Sequence, residues 1–513
     1  MTFFESLVVL LALAVLLLQV ARRIGLPYPA MLAAAGIIVA LIPGTPTFAI
    51  EPRTALALFI APILIDAAYD YPVGAARALL APLIVYAVVA VLLTAALVAG
   101  IGMTMLGLPL AAALVVGAVV APPDAAAATA VLSSLPVARR VEGVLKGESL
   151  FNDATALLLF TGALAVEQSG GLTGGTVLKL AVAAPGGILF GIGFGIVTNR
   201  LQRLVENTVG GTILQFVSAF AAWLIAERLE LSAVLATVST AMTIATLTTE
   251  RDSPRMRVHS FAVWTTVVFL LNVLAFLIMG MQARSILRDL NDAELIDAVW
   301  FAAAVVAGVI VTRLAIAFCY RAWLVHRYRA GRGPQPLEVA ETFLIGWAGM
   351  RGLLTLATSF ALPAGFPERD TVVLAAFAVI VATVVVQGAT LAPYIRWSGI
   401  AREKESEAEL GEARKALAAA ALARLEDEDG TEATDLRDIY QRVAAGEEDR
   451  DARAGLHRRH GLAIAVVQAQ RRELERLREQ HAVGADAYLQ LQEGLDWKEL
   501  SMMSDEERRL AEA

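Results

Sequence analysis

Four polar side chains crowd one short stretch, GESLFNDATALLLF at residues 147–160. Glu148 and Asp153 are carboxylates, and Ser149 and Asn152 add a hydroxyl and an amide. An apolar run follows directly, so the stretch reads as most of a membrane span. Residues four apart on a helix share a face. Ser149 and Asp153 therefore stack on one face, and Glu148 and Asn152 stack on the next, roughly 100° round. One stripe can face an ion pathway and the other can be tied into the protein. The competing reading puts both carboxylates in an interfacial loop that solvates the helix start. It suits Glu148 better than Asp153, which lies a full turn further in.

Two more stretches bring polarity into apolar surroundings. In VVAPPDAAAATAV (119–131), Pro122 and Pro123 precede Asp124. Proline lacks the backbone donor and clashes with the turn before it, so a helix should break here. Irregular backbone at membrane depth is tolerated where it lines a cavity or is buried in protein. A broken helix frees carbonyls and exposes a positive helix N-terminus beside the carboxylate. The plainer reading is a proline kink with a hydrogen-bonded aspartate. In GWAGMRGLLTLATSFALP (346–363), Gly346, Gly349 and Gly352 interrupt another apolar span around Arg351. Paired interrupted helices in two halves point to a transport site built from inverted repeats. Arg351 needs a counter-charge, and Glu148 is the natural partner; snorkelling to the interface is the alternative. Asp66, after Pro62 in LFIAPILIDAAYD, either joins the same cavity or ends a span. Arg313, in GVIVTRLAIAF, reads as a structural counter-ion.

The elements that must position these groups follow from composition. The chain has 513 residues, 57% of them hydrophobic, with a mean hydropathy of +0.64. Runs of about 18 or more apolar residues recur, which marks transmembrane helices. Thirteen spans are expected, from about 3–21 to 371–395. The first run lacks a basic start and a small-residue cleavage site, and Arg22 and Arg23 follow it; it reads as a retained span rather than a signal peptide. Basic residues alternate between the connections. One set holds Arg22, Arg77, Arg139, Arg140, Arg200, Arg251 and Arg327 among others, and the opposite set holds only Arg53, Arg228, Arg284, Arg288 and Arg369. Cytoplasmic loops are enriched in Lys and Arg, which places the N-terminus outside and the C-terminal part in the cytoplasm.

Charge divides the chain near residue 400. Residues 1–400 carry 24 basic and 22 acidic side chains, net +2, and residues 401–513 carry 18 and 27, net −9. A membrane domain (1–400) and an acidic, helical cytoplasmic tail (401–513) are expected, the tail serving assembly or regulation. Its negative charge disfavours nucleic-acid binding. With one cysteine, Cys319, no intrachain disulfide or cysteine-based zinc site is possible. The histidines, including His457 and His460 in HRRH, show no metal-ligand spacing. FGIGFGI (190–196) lies inside an apolar span, where small residues serve helix packing rather than nucleotide binding. No nucleophile–base pairing is visible, so neither an enzyme nor a bound cofactor is expected.

Taken together, APILIDAA (61–68), APPDAAAATAV (121–131), GESLFNDATALLLF (147–160), FLLNVLAFLIMGMQ (269–282), WAGMRGLLTLATS (347–359) and VVQGATLAPYI (385–395) resemble the monovalent cation/proton antiporter family, in its sodium–proton exchanger branch of bacterial NhaP-like members. The resemblance covers roughly residues 5–400. It implies an all-α membrane protein of about thirteen transmembrane helices in an inverted repeat, a homodimer in the cell (inner) membrane that moves a core domain past a dimer domain, and a role in pH homeostasis. It implies that Asp153 binds the cation or the proton, with Ser149, Asp124 and carbonyls around Pro123 completing a sodium site. Asn152 stands where electrogenic relatives have a second aspartate, which implies electroneutral exchange. Glu148 would pair with Arg351 as a structural bridge, and Asp66 stands where the family commonly has a glutamate. Many relatives have Thr-Asp-Pro where this chain has Pro-Pro-Asp. The expectation is exchange of sodium for protons by competition at Asp153. The alternatives are potassium or lithium as the exchanged ion, or a cation channel.

Overall fold

The computed structural model describes residues 3–24, 28–41, 51–69, 71, 73–124, 137–171, 173–205, 208–248, 254–281 and 292–400, and then 403–426 with shorter pieces up to 499. Residues 125–131, the loop arginines Arg251, Arg284 and Arg288, and His457 and His460 lie outside them. The chain divides into two compact units, Met1–Arg402 and Glu403–Glu512.

Among the described residues all regular structure is helical. The helices of the first unit are α1 (Phe3–Ile24), α2 (Tyr28–Leu41), α3 (Ala61–Tyr69), α4 (Leu80–Met105), α5 (Leu110–Val120), α6 (Arg139–Ser169), α7 (Gly174–Gln202), α8 (Val209–Arg228), α9 (Ala233–Thr248), α10 (Pro254–Met281), α11 (Asp292–Arg329), α12 (Val339–Trp347), α13 (Leu353–Phe360) and α14 (Arg369–Ser398). Among the described residues seven helices are long and apolar enough to cross a membrane: α4, α6, α7, α8, α10, α11 and α14. Shorter apolar helices lie in α1, α2, α5 and α9. Leucine, alanine and valine dominate them, and their outward faces stay apolar, as with Leu178 and Leu189 on α7. Such faces suit lipid, since a helix satisfies its own backbone.

Two apolar clusters organise the unit. One joins α5, α11, α12 and α14 through Val115, Val119, Phe301, Ile345 and Ile380. The other joins α3, α8, α9 and α10 through Leu64, Trp223, Val238 and Trp264. Helix α6 belongs to both, giving Val144 and Phe160 to the first and Leu150 and Ala154 to the second. The helix carrying Asp153 thus runs along the seam between them. The close glycines of FGIGFGI work as packing residues. A Cβ at Gly191 or Gly195 would press on the α9 backbone at Ala236 or Thr240.

Three short π-helical turns interrupt the α-helical ladder, at Leu56–Ile60, Val85–Val89 and Thr383–Gln387. Each inserts a wider turn into a span, a feature frequent at functional sites. The two expected breaks are present. Helix α5 ends at Val120, and residues 121–124 are non-helical. The 340–362 span is two half-helices, α12 and α13, separated by residues 348–352. In the second unit a helix spans Glu403–Leu425, and Arg471 pairs with Asp496 and Glu499 beside a small core of Val467, Leu474 and Leu495.

Candidate functional site

The two breaks meet. The Asp124 backbone N–H donates to the Met350 carbonyl at 2.7 Å. The Leu353 N–H, at the start of α13, donates to Asp124 Oδ2 at 3.3 Å. Asp124 therefore lies at the positive end of a half-helix from the other break, where a carboxylate is favoured. Gly352 makes the approach possible: a Cβ there would fall onto the Asp124 carboxylate. The opposite charge sits on the other side of the crossing. Arg351 is buried; its Nε donates to the Val120 carbonyl at 2.9 Å and its Nη1 to the Gly349 carbonyl at 3.0 Å. Val120 ends α5, and Gly349 follows α12. The guanidinium thus takes up carbonyls left orphaned where two helices stop, the negative ends of their dipoles. The Arg351 N–H is held by Thr383 Oγ1 at 2.9 Å, from the π-helical turn in α14.

The four polar residues of α6 separate by face. Glu148 and Asn152 are buried, at 1% and 0% exposure, whereas Ser149 and Asp153 are half-buried. Asn152 Nδ2 donates to the Pro123 carbonyl at 2.8 Å, which ties α6 to the irregular backbone of the first break. Its Oδ1 has no hydrogen-bond partner among the described residues. Asp153 lies within electrostatic reach of Asp124. Among the described residues no hydrogen bond or ion pair to its carboxylate is found. Two carboxylates face each other across a break lined by carbonyls, with a hydroxyl, Ser149, on the Asp153 face. Hard cations take oxygen ligands of these kinds. Among the described residues no group of three or more His, Cys, Asp or Glu converges, so the arrangement differs from a chelating metal centre. Asp66 is half-buried on α3, whose neighbours include α9 and α6.

The expected bridge from Glu148 to Arg351 is not formed. Glu148 pairs instead with Arg313 of α11, Oε1 to Nη1 at 2.5 Å and Oε2 to Nη2 at 2.8 Å, with both side chains buried. The reason lies in the glycines. A Cβ at Gly349 would run into the Arg313 side chain, so the bare backbone gives Arg313 its route to Glu148. Arg351 remains within electrostatic reach of Glu148 but finds its hydrogen bonds in backbone carbonyls. The sequence reading left out Thr383, whose hydroxyl fixes the second break; only its place in an apolar run could have drawn attention to it.

Comparisons with known proteins fit this arrangement. The family model described as "Sodium/hydrogen exchanger, transmembrane" matches residues 8–397. The chain is 29% identical over 512 residues to an uncharacterized Na(+)/H(+) exchanger of Mycobacterium tuberculosis, covering 93% of this chain and 92% of that one. It is 28% identical over 415 residues to a sodium, potassium, lithium and rubidium/H(+) antiporter of Bacillus pumilus, covering 76% of this chain and 61% of that one. Its fold matches the sodium proton antiporter MjNhaP1 from Methanocaldococcus jannaschii with a TM-score of 0.60 at 17% identity, over 79% of this chain and 98% of that one.

Proposed function

The chain belongs to the sodium/hydrogen exchanger family, and from that premise we propose that it exchanges sodium for protons by competition at Asp153. The observation that carries the reading is the Asp153–Asp124 pair beside the crossed breaks, on the accessible face of α6. A carboxylate drawn away from water needs a proton or a cation against it. One carboxylate holds only one of them, so arrival of either displaces the other. Ser149, the Pro123 carbonyl and Asp124 supply the remaining oxygens for the ion.

Charge accounts for obligatory exchange. Glu148, Asp124 and Asp153 carry three negative charges and Arg313 and Arg351 two positive ones, so 3 − 2 leaves one negative charge at the crossing. One sodium ion or one proton cancels it. Moving an uncompensated charge through a low-dielectric barrier is costly. The loaded forms therefore change access readily, and the empty form does not. Asn152 adds no charge, and both loaded forms are alike in charge, which supports electroneutral one-for-one exchange.

The arginine alternation supports an external N-terminus and a cytoplasmic tail in a cell-membrane protein. We extend the proposal to a homodimer serving pH homeostasis, on the family's pattern. A second reading takes potassium or lithium as the exchanged ion; the name of the Bacillus pumilus relative favours it. Proteoliposomes with an internal pH dye test both. Sodium chloride should alkalinise vesicles made with the wild-type protein, and Asp153→Asn should lose at least ~100-fold of that rate, as expected when a group essential to the step is removed. Wild-type exchange by Asp153→Asn sinks the mechanism. A larger response to potassium or lithium chloride moves the substrate to that ion.

A further inference from the structure

Helix α11 carries a stripe at heptad spacing, Arg313, Tyr320 and Arg327, that leads from the buried ion pair to the end of the helix. Tyr320 stacks on Trp323, and the Arg327 guanidinium lies 4.9 Å over the Trp323 ring. Arg140, at the start of α6, comes to the same place, and both Arg140 and Arg327 lie within electrostatic reach of the Tyr320 hydroxyl. Each arginine is oriented by a loop carbonyl: Arg140 Nη1 donates to the Gln335 carbonyl at 2.6 Å, and Arg327 Nη2 to the Arg332 carbonyl at 2.9 Å. Neither forms an ion pair among the described residues. A guanidinium has five N–H donors, so each keeps four for another acceptor.

We propose that Arg140, Arg327 and Tyr320 bind the phosphate of an anionic membrane phospholipid. Two guanidiniums and a phenol hydroxyl from two helices match a phosphodiester in charge and donor geometry. A lipid suits the site better than free phosphate because its flank is apolar and open. Trp323 is 47% exposed and Phe318 38%, placed for glycerol and acyl contact at the membrane surface. The bound phosphate joins the ends of α6 and α11, which Glu148 and Arg313 already join deeper in.

The test uses the full chain in mild detergent, with phosphatidylglycerol, phosphatidylcholine or glycerol phosphate added. Phosphatidylglycerol is expected to raise the unfolding temperature and to persist as adducts in native mass spectrometry; the other two are expected to do neither. Arg140→Gln with Arg327→Gln is expected to weaken retention about tenfold, the effect of losing one strong charge-assisted contact, and to abolish the thermal shift. Equal retention by the double variant overturns the site. An equal shift from glycerol phosphate overturns the lipid as its occupant. Should the double variant not be recovered, wild-type protein is titrated with choline chloride: retention should fall as salt screens the contact, and salt-independent retention overturns the proposal.

Discussion

Glu148 and Asp153 lie on one helix, five residues apart, and meet opposite fates. Glu148 faces a guanidinium that takes both of its oxygens, deep in the protein. Asp153 faces another carboxylate on the accessible side, across a backbone break. A matched bidentate pair leaves no capacity for an exchangeable ion. Two like charges need one. The neighbourhood assigned by helical phase, rather than the carboxylate itself, separates a fastening from a transport group.

The contrast can be broken most forcefully at Glu148. Glu148→Gln strands Arg313 as a buried unpaired charge and is expected to cost about 3–5 kcal/mol of stability, read as a lowered unfolding midpoint in detergent. The double change Glu148→Leu with Arg313→Met should recover most of that loss. An unchanged midpoint in the single variant means that the pair is no fastening. A middle-sized effect is expected at Gly352. Gly352→Ala puts a methyl group onto the Asp124 carboxylate and should lower exchange about tenfold, the scale of a small misplacement at a working group. Exchange at the wild-type rate would separate Asp124 from the site. The smallest effect is expected at Asn152. Asn152→Ala loses the hydrogen bond to the Pro123 carbonyl and should cost about 1–2 kcal/mol, with sodium-driven exchange surviving at reduced rate. Complete loss of exchange in a well-folded variant gives Asn152 a direct part in ion handling and blurs the division of the helix into two faces.

Much of this was legible in the amino-acid order because it depends on local rules. Proline pairs end helices, residues four apart share a face, and long apolar runs seek lipid. Those rules locate both breaks and distinguish Ser149 and Asp153 from Glu148 and Asn152. The partner of Glu148 was not legible. Arg313 and Arg351 both lie far along the chain in apolar runs, and nothing local ranks them. Arg351 looked in need of a carboxylate because orphaned carbonyls at helix ends carry no letter of their own. Only when two breaks cross do the Val120 and Gly349 carbonyls become its partners. The grip of Thr383 on the Arg351 backbone depends likewise on a wide turn that an apolar run does not announce.

That wide turn has a consequence for how the helix is indexed. A π-helical turn at Thr383–Gln387 holds one residue more than the α-helix on either side. Removing one residue there would let the ladder close in α-geometry and turn everything beyond it by roughly 100°. Tyr394, whose hydroxyl now donates to the Ala340 carbonyl at 3.0 Å, would swing off α12, and Thr390 would leave the indole of Trp347. A single-residue deletion in this short window therefore acts as a phase change for the last helix of the membrane unit. The same deletion in a connecting loop only shortens a tether.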